Sequence, residues 1–196
     1  MAYPQEYLGN AASLLPDGLK SFFFLRHGRT DWNEQSFVQG SHDVPLNIAG
    51  QEQARAVGPV LARQTIQCVV ASPLSRAFDT AKLATSELDL QIMTDKALKE
   101  RDFGKHEGTI PPEKMYRDNY EDCERTEDFS RRIAKALSGC CVEGTLLVAH
   151  GGVLRVILSL LKTNVDESSL DNACILRFDR VGTEWRVTIP TIFDNH

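Results

Sequence analysis

The chain has 196 residues, 42% of them hydrophobic and 25% charged, and a formal net charge of −5. That length fits one compact domain with a sizeable core, and the composition is ordinary for a soluble globular protein. No Lys/Arg-rich run favours nucleic acid or an anionic membrane, no apolar stretch reaches membrane-spanning length, and Met1–Lys20 lacks the cationic start and apolar run of a signal peptide.

The first 19 residues carry Pro4, Gly9, Asn10, Pro16 and Gly18 and no sustained period. Residues 1–19 are therefore expected to be an extension, and residues 20–196 a single domain. Ser21-Phe22-Phe23-Phe24-Leu25 is a short continuous apolar run, the pattern of a strand buried on both faces. It stops at Arg26-His27-Gly28-Arg29-Thr30, and a polar loop follows to Leu46. Asn47 is placed to cap a helix over Ile48–Ala62, where Ala54, Val57, Val60 and Leu61 fall at helical spacing. Cys68–Ala71 is a second strand, closed by Ser72-Pro73. Leu74–Thr85 is a helix with Ala77, Ala81 and Ala84 as small packing residues. Leu90–Met93 is a third strand, followed by a loop with Gly104, Gly108, Pro111 and Pro112. Thr126–Leu137 is helical, with Phe129, Ile133 and Leu137 on one face. Thr145–Ala149 is a strand ending at His150-Gly151-Gly152, and Val153–Leu161 an apolar helix. Ala173–Phe178 and Trp185–Ile189 flank Asp179–Glu184 as an antiparallel pair. Strands alternating with helices imply an α/β fold: three α/β/α layers around a mainly parallel central sheet.

Cys68, Cys123, Cys140, Cys141 and Cys174 form no CxxC pair and no Cys/His pattern at zinc spacing. Reduced thiols in a cytoplasmic protein are the expectation.

In open α/β sheets, ligands bind beyond the carboxyl ends of the strands. Three strands here end in reactive or cationic groups: Arg26-His27, Ser72 with Arg76 in the next helical turn, and His150 with Gly151-Gly152. If they are parallel, two imidazoles and two guanidiniums converge on one edge. Helix N-termini add N–H donors and a positive dipole end. Arginine, histidine and N–H donors around one spot make a phosphate pocket. Taken singly, an Arg-His pair after a strand is more often a solvated loop end, and His-Gly-Gly more often a turn. Their recurrence at equivalent strand ends is the signal.

Leu25-Arg26-His27-Gly28-Arg29-Thr30-Asp31-Trp32-Asn33 resembles the signature of the histidine phosphatase superfamily, which includes the cofactor-dependent phosphoglycerate mutases. Four further ordered blocks carry the resemblance. They are Gly40 with Asp43-Val44-Pro45-Leu46 and Gly50; Ser72-Pro73-Leu74-Ser75-Arg76-Ala77 with Thr80-Ala81; Leu98-Lys99-Glu100-Arg101-Asp102-Phe103-Gly104 with Glu107-Gly108; and Val148-Ala149-His150-Gly151-Gly152. The fold it implies is phosphoglycerate mutase-like. It also implies that His27 attacks phosphorus and becomes a phosphohistidine. Arg26, Arg76 and His150 would hold the phosphoryl oxygens, and Asn33, Gly40 and Gly151 would add substrate contacts. Glu100 would protonate the leaving oxygen and then activate water. Burial or a neighbouring phosphate would raise a carboxyl's pKa enough for that task.

Some positions depart from the family pattern. His106 stands where an aromatic residue, most often Trp, is usual, and is read as a rim or surface residue. His42 and His196 are read as solvated, and Arg29 as either at the pocket mouth or solvated. Glu107 is the rival of Glu100 for the acid. Cys123-Glu124-Arg125 replaces the usual Gly-Glu-Ser and leaves the substrate contacts of that segment open. No metal or other cofactor is expected, because the Arg/His cluster supplies the cations. The expected partner is a small-molecule phosphomonoester, and the C-terminal strand pair offers an edge for a homodimer. The lid segment Thr109–Cys123 is short and Thr30 matches the phosphatase form of the first block, so hydrolysis is favoured. The alternatives are mutase-type phosphoryl transfer and a non-catalytic phosphate-recognising protein.

Overall fold

The computed structural model describes Pro16, residues 18–111 and residues 120–191. The expected extension lies outside these except for Pro16, Gly18 and Leu19. Leu19 is buried with the core, and its N–H donates to the Pro16 carbonyl at 3.1 Å. Six strands form one sheet in the order β3-β2-β4-β1-β5-β6: β1 Ser21–Arg26, β2 Cys68–Ala71, β3 Ile92–Thr94, β4 Thr145–Ala149, β5 Ile175–Val181 and β6 Glu184–Thr188. The first four in space are mutually parallel, and β5 and β6 extend the β1 edge antiparallel.

The apolar run of β1 has a direct cause. Phe22 and Phe24 pack into the core under α4 (Thr126–Cys140) and α5 (Gly151–Leu160). Phe23 and Leu25 pack into the opposite core under α2 (Ile48–Leu61) and α3 (Ser75–Ala84). With both faces covered, every position must be apolar, and each fully buried side chain of this size stabilises by about 1.5–3 kcal/mol. The result is the three-layer α/β/α architecture expected from the sequence.

Several boundaries differ from the expectations, each for a local reason. The polar loop after β1 contains a one-turn helix, α1 (Asp31–Glu34), held by a reciprocal cap. Thr30 Oγ1 accepts from Asn33 N–H, and Asn33 Oδ1 accepts from Thr30 N–H. One turn is too short to show a period. The third strand begins at Ile92 rather than Leu90, because Leu88 and Leu90 turn back onto the α2–α3 core first. Helix α4 runs on to Cys140, whose side chain with Cys141 packs into the core. Helix α5 starts at Gly151, directly from β4. The expected Asp179–Glu184 turn shrinks to Gly182-Thr183. Gly182 takes φ +64°, so Val181 and Glu184 can pair. Among the described residues, no helix is long and apolar enough to cross a membrane.

Candidate active site

The parallel register brings the three sequence-predicted strand ends together. Arg26 lies opposite Ala149 across β1 and β4, so His27 and His150 follow at the same edge. Backbone bonds continue the alignment past the strands: His27 N–H donates to the Ala149 carbonyl at 2.9 Å, and Ser72 N–H to the Val148 carbonyl at 2.9 Å. The two imidazole centroids stand 5.2 Å apart.

His27 is 3% exposed. Its Nδ1 lies 2.7 Å from the Gly28 carbonyl. A carbonyl can only accept, so Nδ1 carries the proton and Nε2 keeps its lone pair. Burial first, then the Arg76 and Arg26 charges, hold the His27 pKa well below its ordinary value. The ring is therefore a neutral base at neutral pH, as a nucleophile must be. The loop carrying it is pressed onto α2. A Cβ on Gly28 would stand 2.4 Å from the Gly50 carbonyl oxygen, so neither glycine has room for a side chain. Gly28 N–H donates to Thr80 Oγ1 at 2.9 Å, and the same hydroxyl donates to the Arg76 carbonyl.

Arg76 is 1% exposed and shares with Arg101 the place of largest fully buried side chain among the described residues. One terminal nitrogen donates to the Gly40 carbonyl and the other to the His42 carbonyl, both at 2.7 Å. Its Nε has no partner among the described residues. Burial lowers its pKa to about 10, which leaves it cationic at neutral pH. Arg26 donates through Nη1 to the Leu170 carbonyl.

A cavity of about 170 Å³ opens at this edge. Arg26, His27, Asn33, Gly40, Arg76, Glu100 and Gly151, all expected from the sequence, line it. His150, also expected there, is fully buried and is not among the lining residues; its ring lies against His27, which is. Asn33 spends its Oδ1 on Thr30 and on Asn172 Nδ2, at 3.3 Å. Glu100 is held from two sides: Oε2 accepts from Gly152 N–H at 2.8 Å and Oε1 from Arg101 N–H at 2.9 Å. The second glycine of His-Gly-Gly makes this approach fit, since a Cβ there would stand 2.2 Å from Glu100 Oε1.

The rival acid is placed elsewhere. Glu107 Oε1 accepts from Ser41 N–H at 2.7 Å and Phe103 N–H at 3.0 Å, so it fastens the Gly40–Ser41 loop. Glu124 likewise acts as a brace. Both its oxygens bind Arg132, which also donates to the Ala97, Lys99 and Glu100 carbonyls. His42 is exposed and stacks on Trp32; His106 is half-buried, edge-on to Tyr120; Arg29 is exposed. None of the three lines the cavity. His196 and the lid residues 112–119 lie outside the described residues.

The sequence reading did not single out Phe37, Gln39 or Arg155, which also line the cavity. Arg155 lies four residues after Gly151 on α5, so helical spacing could have found it. Asn172 had no signal. It follows the last motif, yet its amide donates to the His27 carbonyl at 3.0 Å.

Paired histidines and guanidiniums at one sheet edge, with a carboxylate facing them, can accept, hold and release a phosphoryl group. The sequence model of the histidine phosphatase superfamily (branch 1) matches residues 22–191. The chain belongs to that superfamily. It is 46% identical over 199 residues to an agropine synthesis reductase of Rhizobium rhizogenes, covering 96% of this chain and 46% of that protein. The chain thus spans under half the length of that relative. It is 35% identical over 173 residues to the uncharacterized phosphatase PhoE of Bacillus subtilis (strain 168), covering 83% of this chain and 90% of PhoE. Among solved structures, a mycobacterial glucosyl-3-phosphoglycerate phosphatase in complex with VO3 superposes with a TM-score of 0.71 at 26% identity, covering 87% of this chain and 98% of that one. Phosphatases and phosphoglycerate mutases both occur among the names of its relatives.

Proposed function

We propose that the chain hydrolyses phosphomonoesters through a phosphohistidine on His27, without a metal ion. The observation that carries this reading is the His27 tautomer. The Nδ1 proton is committed to the Gly28 carbonyl, and the ring is kept neutral beside two guanidiniums. Nε2 attacks phosphorus while Arg26, Arg76 and His150 take the charge on the phosphoryl oxygens. Glu100 protonates the departing alkoxide, then removes a proton from the water that attacks the phosphohistidine. Burial and the surrounding guanidiniums supply the electrostatic stabilisation that a metal supplies elsewhere.

The name of the Rhizobium relative describes a protein more than twice as long. The reading for this chain rests on its own five motif blocks and the cavity they build. Phosphate release across a panel of phosphomonoesters tests it. Activity should survive dialysis against a chelator and be inhibited by vanadate. Enzyme quenched during turnover should carry an acid-labile, base-stable phosphate that His27→Ala abolishes. Activity lost on chelation and restored by magnesium would refute the metal-free mechanism. Phosphate mapped to His150 or to a serine would refute the assignment of the nucleophile. Transfer to a second hydroxyl in place of release would favour the mutase alternative, and binding without turnover the recognition protein.

A further inference from the structure

The phosphatase reading gives His150 an oxygen-binding task but does not say which ring nitrogen performs it or what fixes the choice. His150 follows β4, which lies between β2 and β1. On the β2 side, its Nε2 is 2.8 Å from Ser72 Oγ. On the β1 side stands His27. Its other nitrogen, Nδ1, is buried and has no partner among the described residues.

The protons of Ser72 can be accounted for. Ser72 is fully buried, so its hydroxyl proton needs a protein acceptor. Among the described residues the hydroxyl oxygen has two hydrogen-bond neighbours: Leu74 N–H at 3.3 Å, which can only donate, and His150 Nε2. The acceptor is therefore Nε2, and a neutral His150 must carry its proton on Nδ1. The charged and titratable groups around it are Arg76 from α3, Arg26 at the end of β1, His27 just after it, and Arg132 from α4. With burial, they hold it in the neutral form.

We propose that Ser72 is a positioning residue that fixes the His150 tautomer, so that Nδ1–H is presented on the His27 side as a neutral donor to a phosphoryl oxygen. The donor role rests on the phosphatase reading; the tautomer does not. Ser72 is thus more than the end of a strand. It removes the freedom of His150 to turn a lone pair toward an anion, which would repel it.

Nitrogen NMR of the full chain with labelled histidine tests the assignment in the resting enzyme, with His150→Gln identifying the signal. The expected spectrum shows Nδ1 protonated and Nε2 as an acceptor, with tautomers mixed in Ser72→Ala. A wild-type spectrum with the proton on Nε2 overturns the proposal. Losing one oriented donor from a site of this kind typically costs about 100- to 1,000-fold. A mixed tautomer should cost less, so Ser72→Ala should lower kcat about 10- to 100-fold and weaken vanadate binding. Ser72→Thr, which keeps the hydroxyl, should restore most of both. Unchanged kinetics in Ser72→Ala, or equal losses in both variants with the wild-type spectrum retained, overturns it. The expected spectrum in a protein that hydrolyses no phosphomonoester supports the tautomer and refutes the phosphatase reading alone.

Discussion

Gly152→Ala isolates the placement of the proposed general acid from its chemistry. The new Cβ would stand 2.2 Å from Glu100 Oε1, 3.0 Å from its Cδ and 3.1 Å from Oε2. To reach ordinary contact at 3.4 Å, the nearer oxygen must retreat by about 1.2 Å. The obstacle is the end of a flexible side chain, so the fold should survive. Alanine also favours a helix over glycine by about 1 kcal/mol, which offsets part of any strain. Stability should therefore change by about 1 kcal/mol or less. Catalysis should not be so tolerant, since a 1 Å misplacement can cost about 100-fold. The loss should depend on the leaving group. An alkyl phosphate departs as a strongly basic alkoxide and needs the proton. A nitrophenyl phosphate departs as a stable phenolate and needs little. Steady-state kinetics on both esters, with Glu100→Gln as the reference for complete loss of the proton, should give a kcat decrease of about 100-fold on the alkyl ester and severalfold on the aryl ester. Vanadate affinity should hold. Equal losses on the two esters would refute the reasoning by showing that Glu100 places the phosphoryl group, and full activity on both would move the acid elsewhere.

Three further outcomes follow from the structure. Arg132 has an acceptor for each of its five N–H groups and ties the Glu100 loop to α4; Arg132→Met should lower urea stability by about 2–4 kcal/mol and reduce turnover on alkyl esters more than on aryl esters, and a variant as stable as wild type would contradict that role. His27 and His150 are both held well below their ordinary pKa of 6.5, first by burial; the unfolded chain binds more protons below that value, so stability is complete above about pH 6.5 and falls on acidification. Urea midpoints between pH 7.5 and 5.5 should drop less in His27→Asn than in wild type, and parallel curves would rule the titration out. A chain beginning at Gly18 keeps buried Leu19 and the clasp of Glu143 on the Lys20 and Ser21 amides, so it should fold and turn over; loss of both would show that the preceding residues complete the domain.

Legibility followed the length and periodicity of each element. β2 and β4 could be read to the residue because their apolar runs end in polar motifs, and Asn47 announced α2 by its cap. The start of α5 was obscured because Gly151 and Gly152 carry weak helix propensity. Gly152 is glycine because Glu100 occupies the space a side chain would fill, a tertiary demand with no local signature; a Cβ on Gly151 would meet only Arg155 and Arg26, at 3.3 and 3.5 Å. In the site, the residues of the ordered motifs were legible. The braces were not: Glu107 and Glu124 look like any acidic side chains until their amide and guanidinium partners, distant or on another element, are known.

The carbonyl and amide groups of Leu170, Asn172 and Ala173 give the His27 loop a late dependency. They reach Arg26 and His27 across a sequence separation of about 145 residues. Contacts of that span close last, because the entropy of the intervening loop must be overcome first. A chain that has folded only through Leu161 holds all five motifs yet lacks this closure, so the proposed capture of phosphoryl groups should wait for the last strands. Released chains ending at Leu161 and at Thr191, compared for vanadate binding, would show whether the closure made by the residues after Leu161 is needed.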